Sequence, residues 1–385
     1  MSVLDVERSV QQRYGAAATR REEELCCPVD YDARLTAVIP EEVLAVDYGC
    51  GDPTRHLLPG DTVVDLGSGS GKTCFIAAQV VGPTGRVIGV DMNAEMLALA
   101  RRHQPTVAAR IGYDNVTFLR ARIQDLATAL DDAEDDLRRH PIASLEDLHA
   151  FERARAEQRR ARPVVADASV DVVISSCVLN LVDDEQKRVL FAEIFRVLRR
   201  GGRAVISDIV ADEPVPAHLK SDPTLWSGCI AGALEARAFL AAFEEAGFHG
   251  IEILERAATP WRTVEGIEFR AVTVAAFKGK QGPCWDANQA VIYRGPWREV
   301  KDDDGHMLVR GVPMAVCEKT YELYGRAPYG GDVILVPPRV PIAPDAVRPF
   351  DCSRDAVRSP RETKGEAYTA TTDASAGSCS GPTCC

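Results

Sequence analysis

The chain has 385 residues, with 45 lysines and arginines, 57 aspartates and glutamates, a net charge of −12 and 46% hydrophobic residues. Charges of both signs are interspersed, which argues against nucleic acid or an anionic membrane as the main partner. The apolar content can fill one large core and a smaller second one, and neither the opening "MSVLDVERSVQQRYG" nor any later run reads as a signal peptide or a membrane span, so a cytoplasmic address is expected.

The sequence contains 12 cysteines, too many to ignore. In a reducing compartment they are expected as thiols, not as a disulfide framework. No C-x-x-C pair occurs and the 7 histidines are scattered, which argues against a zinc knuckle.

In chain order, Cys50 stands between glycines in "DYGCGD", on a turn ahead of the first strand. "TVVDLGSGSG" then gives an apolar strand, Thr62 to Leu66, running into Gly67, Gly69 and Gly71, and "KTCFIAAQVVG" follows as a helix. The stretch "DLGSGSGKTC" imitates a phosphate loop, but the position that needs the opening glycine holds Leu66, so it is not read as one. Glycines at a strand-to-helix turn let a ligand approach the backbone, and the helix start favours anions. "GRVIGVD" is a second strand ending at Asp91, where a carboxylate suits a ribose diol. The set reads as a βαβ nucleoside-binding unit. Cys74, on the first turn of the helix, is expected as a stabilised thiolate facing the ligand cleft.

"NAEMLALARRHQ" reads as an amphipathic helix and "NVTFLRARIQDL" as a third strand with its exit loop. Residues of about 127–163 are heavily charged, a solvated helical insertion. "ASVDVVISSCVLNLV" restores a core strand, with Cys177 at the carboxyl edge of the sheet where open α/β folds bind ligands. "DDEQKRVLFAEIFRVLRRGG" is a helix, "RAVISDIV" a strand, and "LWSGCIAGAL" a small-residue loop that carries Cys229. "IEILERA" and "FRAVTVAAFKG" complete the sheet as an antiparallel edge. The expected fold class is α/β, a doubly wound sheet over residues 1–279. A smaller mixed or β domain follows at 280–350. A flexible tail at 351–385 carries Cys379, Cys384 and Cys385, which read either as incidental thiols or as a capturing end for a thiophilic ligand.

Thiols thus gather at the mouth of one cofactor site, and soft thiolates together select a soft, thiophilic centre. The motifs "DYGCG", "DLGSGSGKTC", "SSCVLNLV" and "LWSGCIAGAL", in this order, are similar to those of the arsenite S-adenosylmethionine methyltransferases. The resemblance extends to Tyr14-Gly15 and to Cys26 and Cys27. It implies a Rossmann-like class I methyltransferase fold and S-adenosylmethionine as cofactor, with the methionine end on Gly67, Ser68, Gly69 and Gly71. The ribose would lie on Asp91 and the adenine by Ile123 and Gln124, with Tyr14, Asp65 and Met92 completing the set. Cys177 and Cys229 would bind arsenic, with Cys74 as a further ligand and Cys50 and Cys74 in the redox step. A thioredoxin or glutathione-type reductant would reopen the disulfide formed. The chain departs from the family pattern at Lys72-Thr73 (usually Arg-Asp), Ser176 (usually Asn) and Gln124 (usually Glu), and many members lack the charged insertion. Two other readings need only part of this set. A methyltransferase of a small organic acceptor would not need Cys177 and Cys229, and a non-catalytic metalloid binder would not need Asp91.

Overall fold

The computed structural model describes residues 5–18, 22, 25, 29–46, 48–352 and 356–368. Cys26, Cys27 and the tail thiols Cys379, Cys384 and Cys385 lie outside the described residues. The chain divides into two compact units, Met1–Gly279 and Lys280–Cys385.

The first unit opens with helix α1 (Val6–Ala17), whose N-cap Asp5 accepts the Arg8 N–H at 3.0 Å. Strand β1 (Thr62–Leu66), helix α2 (Lys72–Val81), strand β2 (Arg86–Asp91), helix α3 (Ala94–Ile111) and strand β3 (Val116–Arg120) then alternate. Helices α4 (Leu130–Arg139) and α5 (Leu145–Ala161) precede strand β4 (Val170–Ser176), helix α6 (Asp184–Val197) and strand β5 (Leu198–Ala211). Short helix α7 (Pro223–Ser227) and helix α8 (Ala236–Glu245) lead to β6 (His249–Arg256), β7 (Arg262–Val264) and β8 (Ile267–Phe277). The sheet order is β3-β2-β1-β4-β5-β8-β6, with β7 paired to β8. Strands β1 to β5 pair in parallel, and β8 runs antiparallel between β5 and β6. The parallel strands therefore send their carboxyl ends to one edge.

Alternation along the strands builds a core on each face. Val63, Val87, Val172, Ile174 and Val205 meet Phe75, Ile76 and Leu97 of α2 and α3. Val64, Leu66, Ile88 and Val173 meet Leu190, Phe191, Phe239 and Phe243 of α6 and α8. Each fully buried phenylalanine contributes roughly 1.5–3 kcal/mol of transfer free energy. In the expected insertion, α4 and α5 bury no residue. They are tied to the unit by ion pairs, Arg120–Glu134 at 2.5 Å and Arg159–Asp125 at 3.5 Å.

In the second unit, β10 (Ala290–Tyr293) pairs antiparallel with β13 (Pro313–Ala315) and β14 (Val333–Val336). Smaller ladders join β11 (Glu299–Lys301) to β12 (Met307–Val309), and β9 (Trp285–Asp286) to β15 (Arg348–Pro349). Helix α9 (Glu318–Tyr324) lies between β13 and β14 in sequence. Residues 356–368, expected in the tail, are folded. Helix α10 (Pro360–Lys364) has a capping box on Ser359, and buried Arg358 pairs with Asp286 at 2.7 Å. The turn-rich sequence hid this, because the contacts that order it reach back some seventy residues to β9.

Candidate active site

The glycine loop crosses from β1 to α2 with Gly67, Gly69 and Gly71 at φ of 72°, 51° and 91°. This left-handed backbone disfavours side chains at all three positions, but the surroundings differ. A Cβ at Gly67 would strike Val178 at 2.5 Å and one at Gly71 would strike Phe118 at 2.8 Å, whereas nothing lies within 4 Å at Gly69. Gly69 thus presents bare backbone to the cleft. Beside it the Ser68 hydroxyl is buried without a hydrogen-bond partner among the described residues, a polar group placed for a ligand.

Asp91, at the tip of β2, accepts N–H groups from Gly69 and Asn93, each at 2.8 Å. Burial raises its carboxyl above the ordinary value, and these donors oppose the rise. Met92, Ile123 and Gln124 continue the same wall, and Asp65 and Tyr14 also line it. Helix α1 closes the cleft through Val6, Val10, Gln11 and Tyr14. Two of its residues hold the helix there. Glu7 pairs with Arg122 at 2.7 Å, and Arg13 donates to the Thr224 carbonyl at 2.9 Å and to Ser227 Oγ at 3.0 Å. Only Tyr14 of this lid was expected from sequence. The signal available was the amphipathic run after Asp5, which reads as an ordinary surface helix.

Beyond the loop, Cys50, Cys177 and Asp208 bring their ligand atoms within 4.8 Å of one another. Cys177 follows β4 at φ 60° and Cys229 sits at φ 61°, an uncommon conformation for residues other than glycine, and one that clusters at functional sites. The Cys229 thiol donates to the Cys177 carbonyl at 3.1 Å, and Cys50, Cys177 and Cys229 share one buried cluster. The Tyr14 phenol reaches them as well. Burial, then the Cys229 and Cys177 sulfurs, push its ionisation well above the ordinary range, so it remains a donor.

Ser176 explains how Cys50 is held. Its hydroxyl accepts the Cys50 N–H at 3.2 Å and donates to the Gly51 carbonyl at 3.0 Å. A Cβ on Gly49 would lie 2.7 Å from that hydroxyl, so the turn docks only because both residues are small. Cys50 is 6% exposed, tethered and not standing on an open turn. Asn180 plays the matching part for Cys229, its amide donating to the Ile209 carbonyl at 2.6 Å and to the Cys229 carbonyl at 3.4 Å. A Cβ on Gly232 would stand 2.0 Å from the Asn180 carbonyl oxygen. Gly232→Ala is therefore expected to unseat the Cys229 loop and to cost about 1–3 kcal/mol of stability, read from denaturant unfolding.

Cys74 departs from expectation. It is fully buried beneath the sheet with Phe75 and Ala77, and its thiol donates to Asp65 at 3.2 Å instead of facing the cleft. Burial, then the Asp65 carboxylate, raise it well above the ordinary thiol range. The helix-start argument fails because position and direction differ: the side chain turns toward Gly89, where a Cβ would meet its sulfur at 2.8 Å.

Asp208 was missed altogether. It lies in "RAVISDIV" at 0% exposure and accepts N–H groups from Leu179 at 2.9 Å and Ile209 at 2.8 Å. Burial raises it to about 7. The readable signal was a carboxylate inside an apolar strand, next in the sheet to the strand that ends at Cys177.

Residues 57–247 match a methyltransferase domain, and residues 280–368 match a domain of unknown function. An arsenite methyltransferase of Aquipseudomonas alcaligenes is 33% identical over 82% of this chain and 86% of that protein. The one from Halobacterium salinarum is 38% identical over 58% of this chain and 46% of that protein. The crystal structure of an arsenic(III) S-adenosylmethionine methyltransferase from Chlamydomonas reinhardtii superposes with a TM-score of 0.55 at 26% identity, covering 86% of this chain and all of that one (100%). No helix among the described residues is long and apolar enough to cross a membrane. With a glycine-loop cleft lined by Cys177, a buried cluster joining Cys177 to Cys50 and Cys229, and a relative 33% identical over 82% of this chain and 86% of its own length, the chain belongs to the arsenite methyltransferase family.

Proposed function

We propose that this chain methylates trivalent arsenic held by Cys177 and Cys229, with Cys50 as the third sulfur and the redox partner. The observation that carries the reading is the packing of these thiols in one buried cluster, with Cys177 lining the glycine-loop cleft and Cys177 and Cys229 on left-handed backbone. Family membership supplies the reaction class.

The cofactor is S-adenosylmethionine, which supplies an electrophilic sulfonium methyl group. The open face at Gly69 and the unpartnered Ser68 hydroxyl suit its methionine end, Asp91 suits the ribose, and Ile123 with Gln124 would flank the adenine. Helix α1, which lines the cleft, would keep water from the methyl group.

When arsenite enters, each thiol proton leaves with an arsenic hydroxyl as water, so binding releases no net proton. Asp208, near Cys50 and Cys177, is placed to carry the proton between them. Thiolate-bound arsenic keeps a lone pair and needs no base for the transfer itself. Holding nucleophile and methyl in line is worth roughly 7–11 kcal/mol of barrier. Transfer raises arsenic formally by two electrons. Closing a Cys50–Cys177 disulfide returns those two electrons to arsenic, and a thioredoxin or glutathione-type thiol reopens the bond.

The direct test is purified protein with labelled S-adenosylmethionine, arsenite and a thiol. Methylated arsenic is expected, and label transfer to an organic acceptor alone would overturn the reading. Asp91→Ala is expected to weaken cofactor binding by about 1–3 kcal/mol while arsenite uptake holds. Calorimetry that finds unchanged cofactor affinity would move the ribose elsewhere.

A further inference from the structure

In the Lys280–Cys385 unit, Cys284, Cys317 and Cys352 bring their sulfurs within 4.8 Å of one another. The three come from separate stretches: Cys284 precedes β9, Cys317 is the N-cap of α9, and Cys352 follows β15. Main-chain pairing fixes two of them, since Pro349 is in register with Trp285 and the Phe350 N–H donates to the Cys284 carbonyl at 2.9 Å. Thr320 fixes the third, its N–H reaching Cys317 Sγ at 3.4 Å and its hydroxyl lying 3.2 Å away. Ala315 and Phe350 pack around the group. Cys317 is buried while Cys284 and Cys352 are half-buried, so the sulfurs form a preorganised face reachable from solvent.

Cysteines often serve as small core hydrophobes, but here three are grouped and two of them are only half-buried. Burial raises the Cys284 thiol, yet hydrogen bonds with Cys352 and Cys317 and the Lys319 ammonium outweigh it and leave it below the ordinary value. Burial and the neighbouring sulfurs push Cys352 up instead.

We propose that this three-sulfur face binds one trivalent arsenic, a second metalloid site that retains its ligand and does not turn it over. Thiolates about 2.3 Å from one pyramidal centre stand roughly 3.5 Å apart, closer than the 4.8 Å within which the three sulfurs lie, so ligation draws them inward. Among the described residues no histidine or carboxylate is grouped with the three sulfurs, which suits a three-coordinate pyramidal centre better than tetrahedral zinc. Arsenite binds by losing its three hydroxyls as water with the three thiol protons, and neither arsenic nor sulfur changes oxidation state.

The test reads bound arsenic, so it is separate from the methylation assay. Full-length protein carrying Cys177→Ser and Cys229→Ser, reduced by a phosphine, is exposed to arsenite, desalted and assayed for arsenic per chain. It is expected to keep one equivalent at this face, and adding Cys284→Ser or Cys352→Ser is expected to lose that equivalent with the melting temperature unchanged. In otherwise native protein, Cys352→Ser is expected to leave methylation at saturating arsenite unaltered. Equal arsenic with and without Cys284 and Cys352 would overturn the proposal. So would a disulfide within the trio in non-reduced peptide maps, or a bound zinc that arsenite fails to displace.

Discussion

Cys177→Ser and Cys229→Ser are each expected to abolish arsenite methylation while leaving S-adenosylmethionine affinity unchanged. A serine hydroxyl is a hard, protonated donor and a poor ligand for a soft centre. It is nevertheless close in shape to the thiol it replaces. At position 229 it can still donate to the Cys177 carbonyl, the contact now made at 3.1 Å, so the loop is expected to keep its place. At position 177 the backbone N–H still reaches the Ser207 carbonyl at 2.8 Å. The loss therefore reports ligand chemistry and not unfolding. Labelled-methyl transfer to arsenite and cofactor calorimetry on the same preparations separate the two. Full activity in either variant would sink the arsenic-site assignment.

The features legible in the sequence were those written locally. Strand β1, the glycine loop and Asp91 lie within one βαβ unit, where periodicity and turn glycines determine the backbone. Cys177 was placed at the sheet edge because it follows the core strand "VDVVISS", whose centre is the apolar Val172 to Ile174. Cys74 shows the limit of this kind of argument. Its position on the first turn of α2 was read correctly, but a helix start does not say which way a side chain points, and this one points under the sheet to Asp65. The α1 lid and the tether from Ser176 to Cys50 depend on contacts more than one hundred residues apart in sequence, Arg122 with Glu7 and Ser176 with Gly51. The folded stretch at 356–368 belongs to the same class, since its order comes from Arg358 reaching back to Asp286.

Asp208→Asn is expected to slow arsenite capture on the order of 100-fold at neutral pH and to change its pH profile. The sign follows from the raised carboxyl at about 7. Below that pH the group holds its proton and cannot accept one from a thiol; above it the carboxylate can. Capture by the native protein should therefore rise through about pH 7 and level off. An ordinary thiol ionising unaided would place the rise near 8.5 instead. Asparagine keeps one oxygen for the Leu179 or Ile209 N–H but has no basic site, so the variant should lose the inflection near 7 and retain only the later rise. Stopped-flow binding of arsenite across pH 5.5 to roughly 9 reads this without methyl transfer. A uniform drop with the inflection preserved would show that Asp208 only holds the turn at Leu179, and would reject its part in moving the proton.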